Sequence, residues 1–432
     1  MKRFSRQMVL GAAGLASLSL IAAGCGTSPS KTNAASPSSS TVDIFSWWTG
    51  TASSKALNTF FEAFKAKYPH VKVVNDAVSG GAGSNAKAVL ASRMNANKPP
   101  STFQVHVGNG SLKSWVEAGK LQPLNSLFQQ QGWYNEFPKS LLKLATFNGK
   151  IYAVPVDMQR ANVLWYNTAI FKKYGLKPPA TWSQFISEAK VLEKHHIVPL
   201  AVANHGNWET TLLWSDILLG TVGYHNYNAI MHGTVPMDSS GVKKASETYL
   251  EVMKYTNSNA SSLHWAQADQ MVAQGQAAMN VMGDWAAGYF TTTAGLTPGK
   301  QFGWAPTPGT QGVFAAVSDA FGLPSGLKGQ AKTNAIDFLK VLGSASAQAK
   351  FNPLKGTFSP RLDANPSDYN AYSRSAMASY KKDPLVLVPG QGGLNPGFTN
   401  ALENAMSSFT ASGNVTSFLQ ALASAESANP LN

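Results

Sequence analysis

A single cysteine, Cys25, occurs in 432 residues, so no disulfide framework holds this chain and no thiolate cluster is available to a metal. Acidic residues are scarce as well, 22 against 35 basic ones, yet the formal charge of +13 is spread along the chain without a basic run. A nucleic-acid partner would need a clustered basic footprint, so none is expected. A surface that relies little on carboxylates loses little when they protonate, which predicts acidic native surroundings. Beyond residue 21 no stretch reaches 18 consecutive apolar residues, and the body is expected to lack a membrane span. The eight histidines include no pair at i, i+4 spacing around a glutamate, so neither a zinc site nor any other cofactor is expected. No Gly-x-Ser-x-Gly elbow lies between a strand and a helix, which disfavours an esterase.

What is present starts at the second residue. Lys2, Arg3 and Arg6 precede an apolar run over 8–21 that ends Ala22-Ala23-Gly24-Cys25. This reads as a signal peptide, 1–24, with a lipid attached at Cys25 after cleavage. Residues 26–40 are almost all Ser, Thr, Pro, Ala, Gly and Asn, too polar to bury a core, so 25–41 reads as lipidated cysteine and flexible tether. Two or more acyl chains suffice for stable anchoring. The body is therefore expected outside the cytoplasm, lipid-anchored at the cell membrane. Loss of the three leader cations takes the charge from +13 to +10. Nearly 400 residues remain, beyond the roughly 250–300 at which one core stops growing, so at least two lobes are expected.

Periodicity gives the organisation. A strand over 42–45 leads to Trp47-Trp48. A helix from about Ser54 carries Leu57, Phe60, Phe61, Phe64 and Tyr68 on one stripe, with Ser53 or Ser54 placed to cap it. Next come a strand over 71–78, a Gly-rich turn over 79–84, a helix over 85–94 and a strand over 102–107. This alternation predicts an α/β body with a mainly parallel sheet, whose ligand sits beyond the carboxyl ends of the strands. The Gly-rich turn lacks the Gly-Lys-Ser/Thr order of a phosphate loop. Further helices are predicted near 241–255, 265–278 and 331–342, with one or two more over 400–424.

Gln104 and His106 share one face of the 102–107 strand, at its cleft end. Eleven tryptophans are many, and Trp47-Trp48 stands at a strand end instead of in a core stripe. An indole offers a flat apolar face and one donor, which suits the C–H face and hydroxyl rim of a pyranose. Trp265 and Trp285 flank a helical stretch, the second following Gly283-Asp284. Asp157, Glu209, Asp284 and Asp319 are candidates to accept sugar hydroxyls. Convergence of two of them would instead make a glycoside hydrolase, the alternative reading.

Several segments in order carry a resemblance: Phe45-Ser46-Trp47-Trp48-Thr49, then 80–87, then 99–106, the run Arg160-Ala161-Asn162-Val163-Leu164-Trp165-Tyr166-Asn167, then 275–286, and Phe351-Asn352-Pro353-Leu354-Lys355-Gly356. The chain resembles the extracellular solute-binding proteins, family 1, of bacterial ABC importers, and within them a branch that binds glucose and related monosaccharides. The resemblance implies a non-enzymatic receptor with a two-lobe, type II periplasmic-binding-protein-like fold, its ligand cleft between the lobes. Residues 42–158 with 318–355 would form one lobe and 159–317 with 356–432 the other. Trp48 and one of Trp265 or Trp285 would sandwich a sugar ring, while Gln104, His106, Asp319 and Lys355 bond its hydroxyls. Trp47 and Asp284 complete the expected site. The expected partners are a monosaccharide and the permease subunits, with the receptor itself a monomer. Two positions depart from the glucose branch, which has Glu where this chain has Ser53, and His near Gln391.

Overall fold

The structure, a computed structural model, describes residues 40–431. The leader, Cys25 and nearly all of the tether lie outside the described residues.

The first sheet is built around strand Thr41–Phe45, which pairs in parallel with Lys72–Asn75 on one side and Thr102–His106 on the other. It is not mainly parallel as expected. Strand Asp319–Pro324 joins antiparallel to Thr102–His106, and the short strands Ala153–Pro155 and Leu121–Gln122 pair antiparallel to it in turn. The sheet is mixed because its last long strand returns from more than 200 residues away, and no local pattern announces that pairing.

Helix Thr51–Lys67 covers this sheet with Ala52, Ala56, Leu57, Phe60, Phe61 and Phe64. Its Phe60 ring stacks on Phe351 of helix Ala345–Lys355 at 4.4 Å. Each such phenylalanine stabilises the fold by about 1.5–3 kcal/mol through burial. The helix starts a turn earlier than expected, because the small Ala52 already belongs to the buried stripe. Gly50 is its N-cap, without a side-chain bond, so neither Ser53 nor Ser54 caps it. The strand expected over 71–78 is confined to Lys72–Asn75.

A second sheet runs Val198–Ala201, Ala277–Val281, Val163–Asn167, Phe302–Pro306, the first pair parallel and the others antiparallel. Here the helix expected over 265–278 stops at Ala273, Gly275 turns the chain at φ 72°, and Ala277–Val281 becomes a central strand. The long helix Trp208–Met231 was not foreseen; its nearly continuous apolar run gives no amphipathic stripe, since it is buried on most sides. Among the described residues, no helix is long and apolar enough to cross a membrane.

The two halves are joined where the chain crosses between sheets. Ala153–Pro155 in the first sheet continues to Gln159–Arg160, which pairs with Phe314–Val317 in a small third sheet, and Phe314–Val317 continues into Asp319–Pro324. A bridge between Met158 and Phe358 adds a third strand of chain just after Lys355. Asp157, Asp319 and Lys355 thereby meet at the crossing.

Candidate functional site

A cleft of about 420 Å³ opens above this crossing. Its floor is polar and tightly connected. The register sets Asp319, at the start of its strand, opposite His106, at the end of its own. Asp319 accepts from Gln104 Nε2 at 2.7 Å, Gln159 Nε2 at 2.7 Å and Lys355 Nζ at 2.6 Å, and His106 Nε2 lies 3.3 Å away. Lys355 also donates to Asp157, which in addition accepts the Asp319 main-chain N–H at 2.8 Å and Gln159 Nε2 at 3.0 Å. Buried charges persist only when paired and bonded in this way. Burial alone would raise Asp319, but the charge of Lys355 and the hydrogen bonds donated by Lys355 and Gln104 bring its carboxyl below the usual range. Burial and the neighbouring Asp319 charge push Asp157 up to about 7 against the pull of Lys355. Burial lowers His106 to about 4, so its imidazole is neutral near pH 7 and can both donate and accept.

The walls are aromatic. On the first, Trp48 packs on Phe321 and Phe351 with Lys355 Nζ 4.7 Å over its ring, and Trp47 meets His106 edge-on at 5.0 Å. On the second stand Trp208, Trp265 and Trp285, with the Trp208 and Trp285 rings 6.0 Å apart. The walls touch at the rim. A β-carbon on Gly81 would lie 2.6 Å from Trp208 Nε1, and one on Gly50 would lie 4.0 Å from Trp265.

Of the residues expected from sequence, Trp47, Trp48, His106, Trp265, Trp285, Asp319 and Lys355 line this cleft, as do Ser53 and Gln391. Gln104 does not. It lies beneath the lining, where its Oε1 accepts the Trp47 N–H and its amide steadies Asp319. Asp284 is also behind the wall, fully buried, its Oδ2 accepting the Arg160 N–H and its Oδ1 without a partner; burial holds its carboxyl well above the usual range. Of the four carboxylates weighed for hydrolysis, Asp319 alone lines the cleft, so no catalytic pair forms there.

Trp208, Gln159, His205, His264 and Asn85 were not anticipated. Gln159 had a signal, because it stands two residues from Asp157 and alternation puts both on one face. Trp208 had a weaker one, since it follows Asn207 at a helix start. The Gly-rich turn does fold as a turn before helix Ser84–Asn95, and it also borders the cleft.

A mixed sheet on each side of a threefold crossing, with an aromatic cleft over buried charge, defines a two-lobed receptor of the type II periplasmic-binding-protein fold. Residues 47–349 match the family described as bacterial extracellular solute-binding protein, and the chain belongs to that family. It is thus an extracytoplasmic solute receptor and not an enzyme. It is similar to an uncharacterised ABC transporter extracellular-binding protein of Pyrococcus horikoshii, 34% identical over 378 residues, 86% of this chain and 84% of the relative. It is also similar to the glucose-binding protein GlcS of Saccharolobus solfataricus, 30% identical over 305 residues, 66% of this chain and 55% of that one. A solved structure of the bacterial solute receptor AcbH, described as having an exclusive preference for β-D-galactopyranose, superposes with a TM-score of 0.79 at 21% identity, covering 90% of this chain and 98% of that one.

Proposed function

We propose that this receptor serves an ABC sugar importer, capturing an aldose, glucose or a close relative, and handing it unchanged to the membrane permease while a lipid on Cys25 tethers it. The observation that carries the reading is the pairing of indole walls with a polar floor: apolar pyranose faces fit the first, hydroxyls the second. In this reading Trp48 and Trp265 hold opposite faces of the ring, with Trp47 and Trp285 beside them. His106, Asp319 and Lys355 meet hydroxyls, and Gln104 and Asp284 act from behind. GlcS and AcbH, whose names state hexose ligands, support the same class of ligand. Ser53 and Gln391 put less charge at the rim than the glucose branch has, which leaves room for a hexose other than glucose.

Residues 42–158 with 318–355 and residues 159–317 with 356–432 are the moving bodies of this reading. A ligand that touches both stabilises only the shut form, so binding shifts the population toward the state the permease engages. A dissociation constant near 1 μM corresponds to about −8 kcal/mol, within reach of a dozen heavy atoms. The test is a thermal-shift screen against mono- and disaccharides, in which a ligand at 100 times its Kd adds about 2.7 kcal/mol. Chromatography of the incubated sugar is expected to return it intact. No shift with any sugar, or a cleaved product, would refute the reading.

A further inference from the structure

The Gly-rich turn, which lacks the order of a phosphate loop, is pressed by indoles on two sides. Within it Ala82 takes φ 49° and Gly83 φ 79°, both in the left-handed region. A β-carbon on Gly83 would lie 2.9 Å from Trp47 Cε3, and one on Gly81 would lie 2.6 Å from Trp208 Nε1 and 2.8 Å from its Cε2 and Cζ2. Real β-carbons do not come so close, so bare glycine backbone rests against each ring. Trp208 is itself buried, beside Trp285, at the head of helix Trp208–Met231. The Asn207 carbonyl oxygen accepts from the Thr210 and Thr211 hydroxyls at 3.1 and 2.9 Å, which sets where that helix begins and so where the indole stands. A sugar ring held between two surfaces needs two van der Waals contacts of roughly 3.5–4 Å each, a gap of about 7–8 Å. At Gly81 the backbone and the Trp208 ring share a single contact, so no ring passes between them. The other meeting point of the walls is looser, since a β-carbon on Gly50 would still have 4.0 Å to Trp265.

We propose that Trp208 and the Gly81–Gly83 turn form an end stop that sets specificity: with the walls together, the cleft accepts one sugar ring and excludes a second ring extended toward Trp208. This rests on the reading of the cleft as a sugar site. A longer saccharide would hold the turn and the indole apart, so the shut state would not form and the ligand would be rejected by steric conflict. Removing the indole would leave a space about the size of a pyranose beside Trp285. His205 and Asn85, close in the chain to Trp208 and to the turn, line the same cleft and can bond the hydroxyls of a ring placed there.

The test is calorimetric titration of wild-type, Trp208→Ala and Trp208→Phe protein with the monosaccharide found in the thermal screen and with disaccharides of that sugar joined through different hydroxyls. Wild-type protein is expected to bind the monosaccharide at least about 100-fold more tightly than any of the disaccharides. In Trp208→Ala the monosaccharide is expected to bind more weakly and at least one disaccharide at least about tenfold more tightly than in wild type. A merely structural role would not move the two affinities in opposite directions. Trp208→Phe, with its smaller ring, is expected to fall between, and if Trp208→Ala fails to fold it is read in the same way. A disaccharide bound by wild-type protein as tightly as any monosaccharide, or both ligands weakened alike in the variants, would overturn the end stop and leave the sugar receptor standing. Binding of no sugar by wild-type protein would instead refute the reading of the cleft, and the end stop with it.

Discussion

The two walls of the cleft are built on different principles. The first rests on strand ends and a closed circuit of bonds, in which Asp319, Asp157, Lys355, Gln104 and Gln159 satisfy one another. The second rests on helix starts, and behind it Glu209, Asp269 and Asp284 are buried with at least one carboxyl oxygen unpartnered. A satisfied network is rigid and fixes the direction of its donors, which suits reading hydroxyls. A platform of indoles over lone acids has few polar constraints, so it can tilt to meet a ring and its energetics depend on pH. One wall specifies and the other adapts.

Breaking the first wall is expected to cost the most. Asp319→Ala strands Lys355 beside a single carboxylate, frees the amide of Gln104 and leaves that of Gln159 with Asp157 alone. It should lower the unfolding free energy by about 3–5 kcal/mol in urea titrations and abolish binding with it. Loss of binding at unchanged stability would mean that Asp319 acts as a ligand group alone.

The acids behind the second wall and in its lobe are expected to make stability depend on pH. Burial raises Asp216 to about 8 and Glu209 to about 7, from 3.8 and 4.5. Between those values and the folded ones the native state binds more protons than the unfolded chain, so stability rises as pH falls. His106 works the other way, but only between its unfolded value of 6.5 and its folded value of about 4. From pH 8 to 6.5 the acids act unopposed, and the unfolding free energy should grow by about 1–2 kcal/mol. A flat or falling profile there would contradict this picture.

Contact between the walls can be tested by a single methyl. Gly81→Ala places its β-carbon against Trp208. It should weaken binding about fivefold by hindering closure while leaving the melting temperature of the ligand-free protein unchanged. Wild-type affinity in this variant would mean that the rim contact does not limit closure. At the smallest scale, Ser53→Glu restores a carboxylate at the rim and should tighten glucose binding about threefold, one net hydrogen bond. No change would mean that Ser53 does not face a hydroxyl of the bound sugar.

The same contrast explains what the sequence disclosed. Strand alternation placed His106 at the cleft and the Trp47-Trp48 pair at a strand end stood out, because both signals are local; Gln104, expected on the same face, lies in the layer below instead. The resemblance brought Asp319 and His106 to one site, but their pairing was not read from the sequence, since the register of two strands so far apart leaves no local pattern. On the second wall, Trp265 and Trp285 were noticed as tryptophans, but Trp208 was hidden at the head of a helix apolar on most sides. Asp284, chosen for its charge beside Trp285, is turned away from the cleft, because it heads the helical turn Trp285–Gly288 with its Oδ2 accepting the Arg160 N–H, a long-range contact that composition does not reveal.

The central claim is that one aldose lies between Trp48 and Trp265. Calorimetric titration of wild-type and Trp265→Ala protein with the sugar found in the thermal screen tests it most directly. The account predicts one sugar per wild-type chain, and at least about tenfold weaker binding in the variant with its fold intact, because Trp265 is only partly buried. Equal affinity in the two proteins, or a stoichiometry other than one, would contradict it.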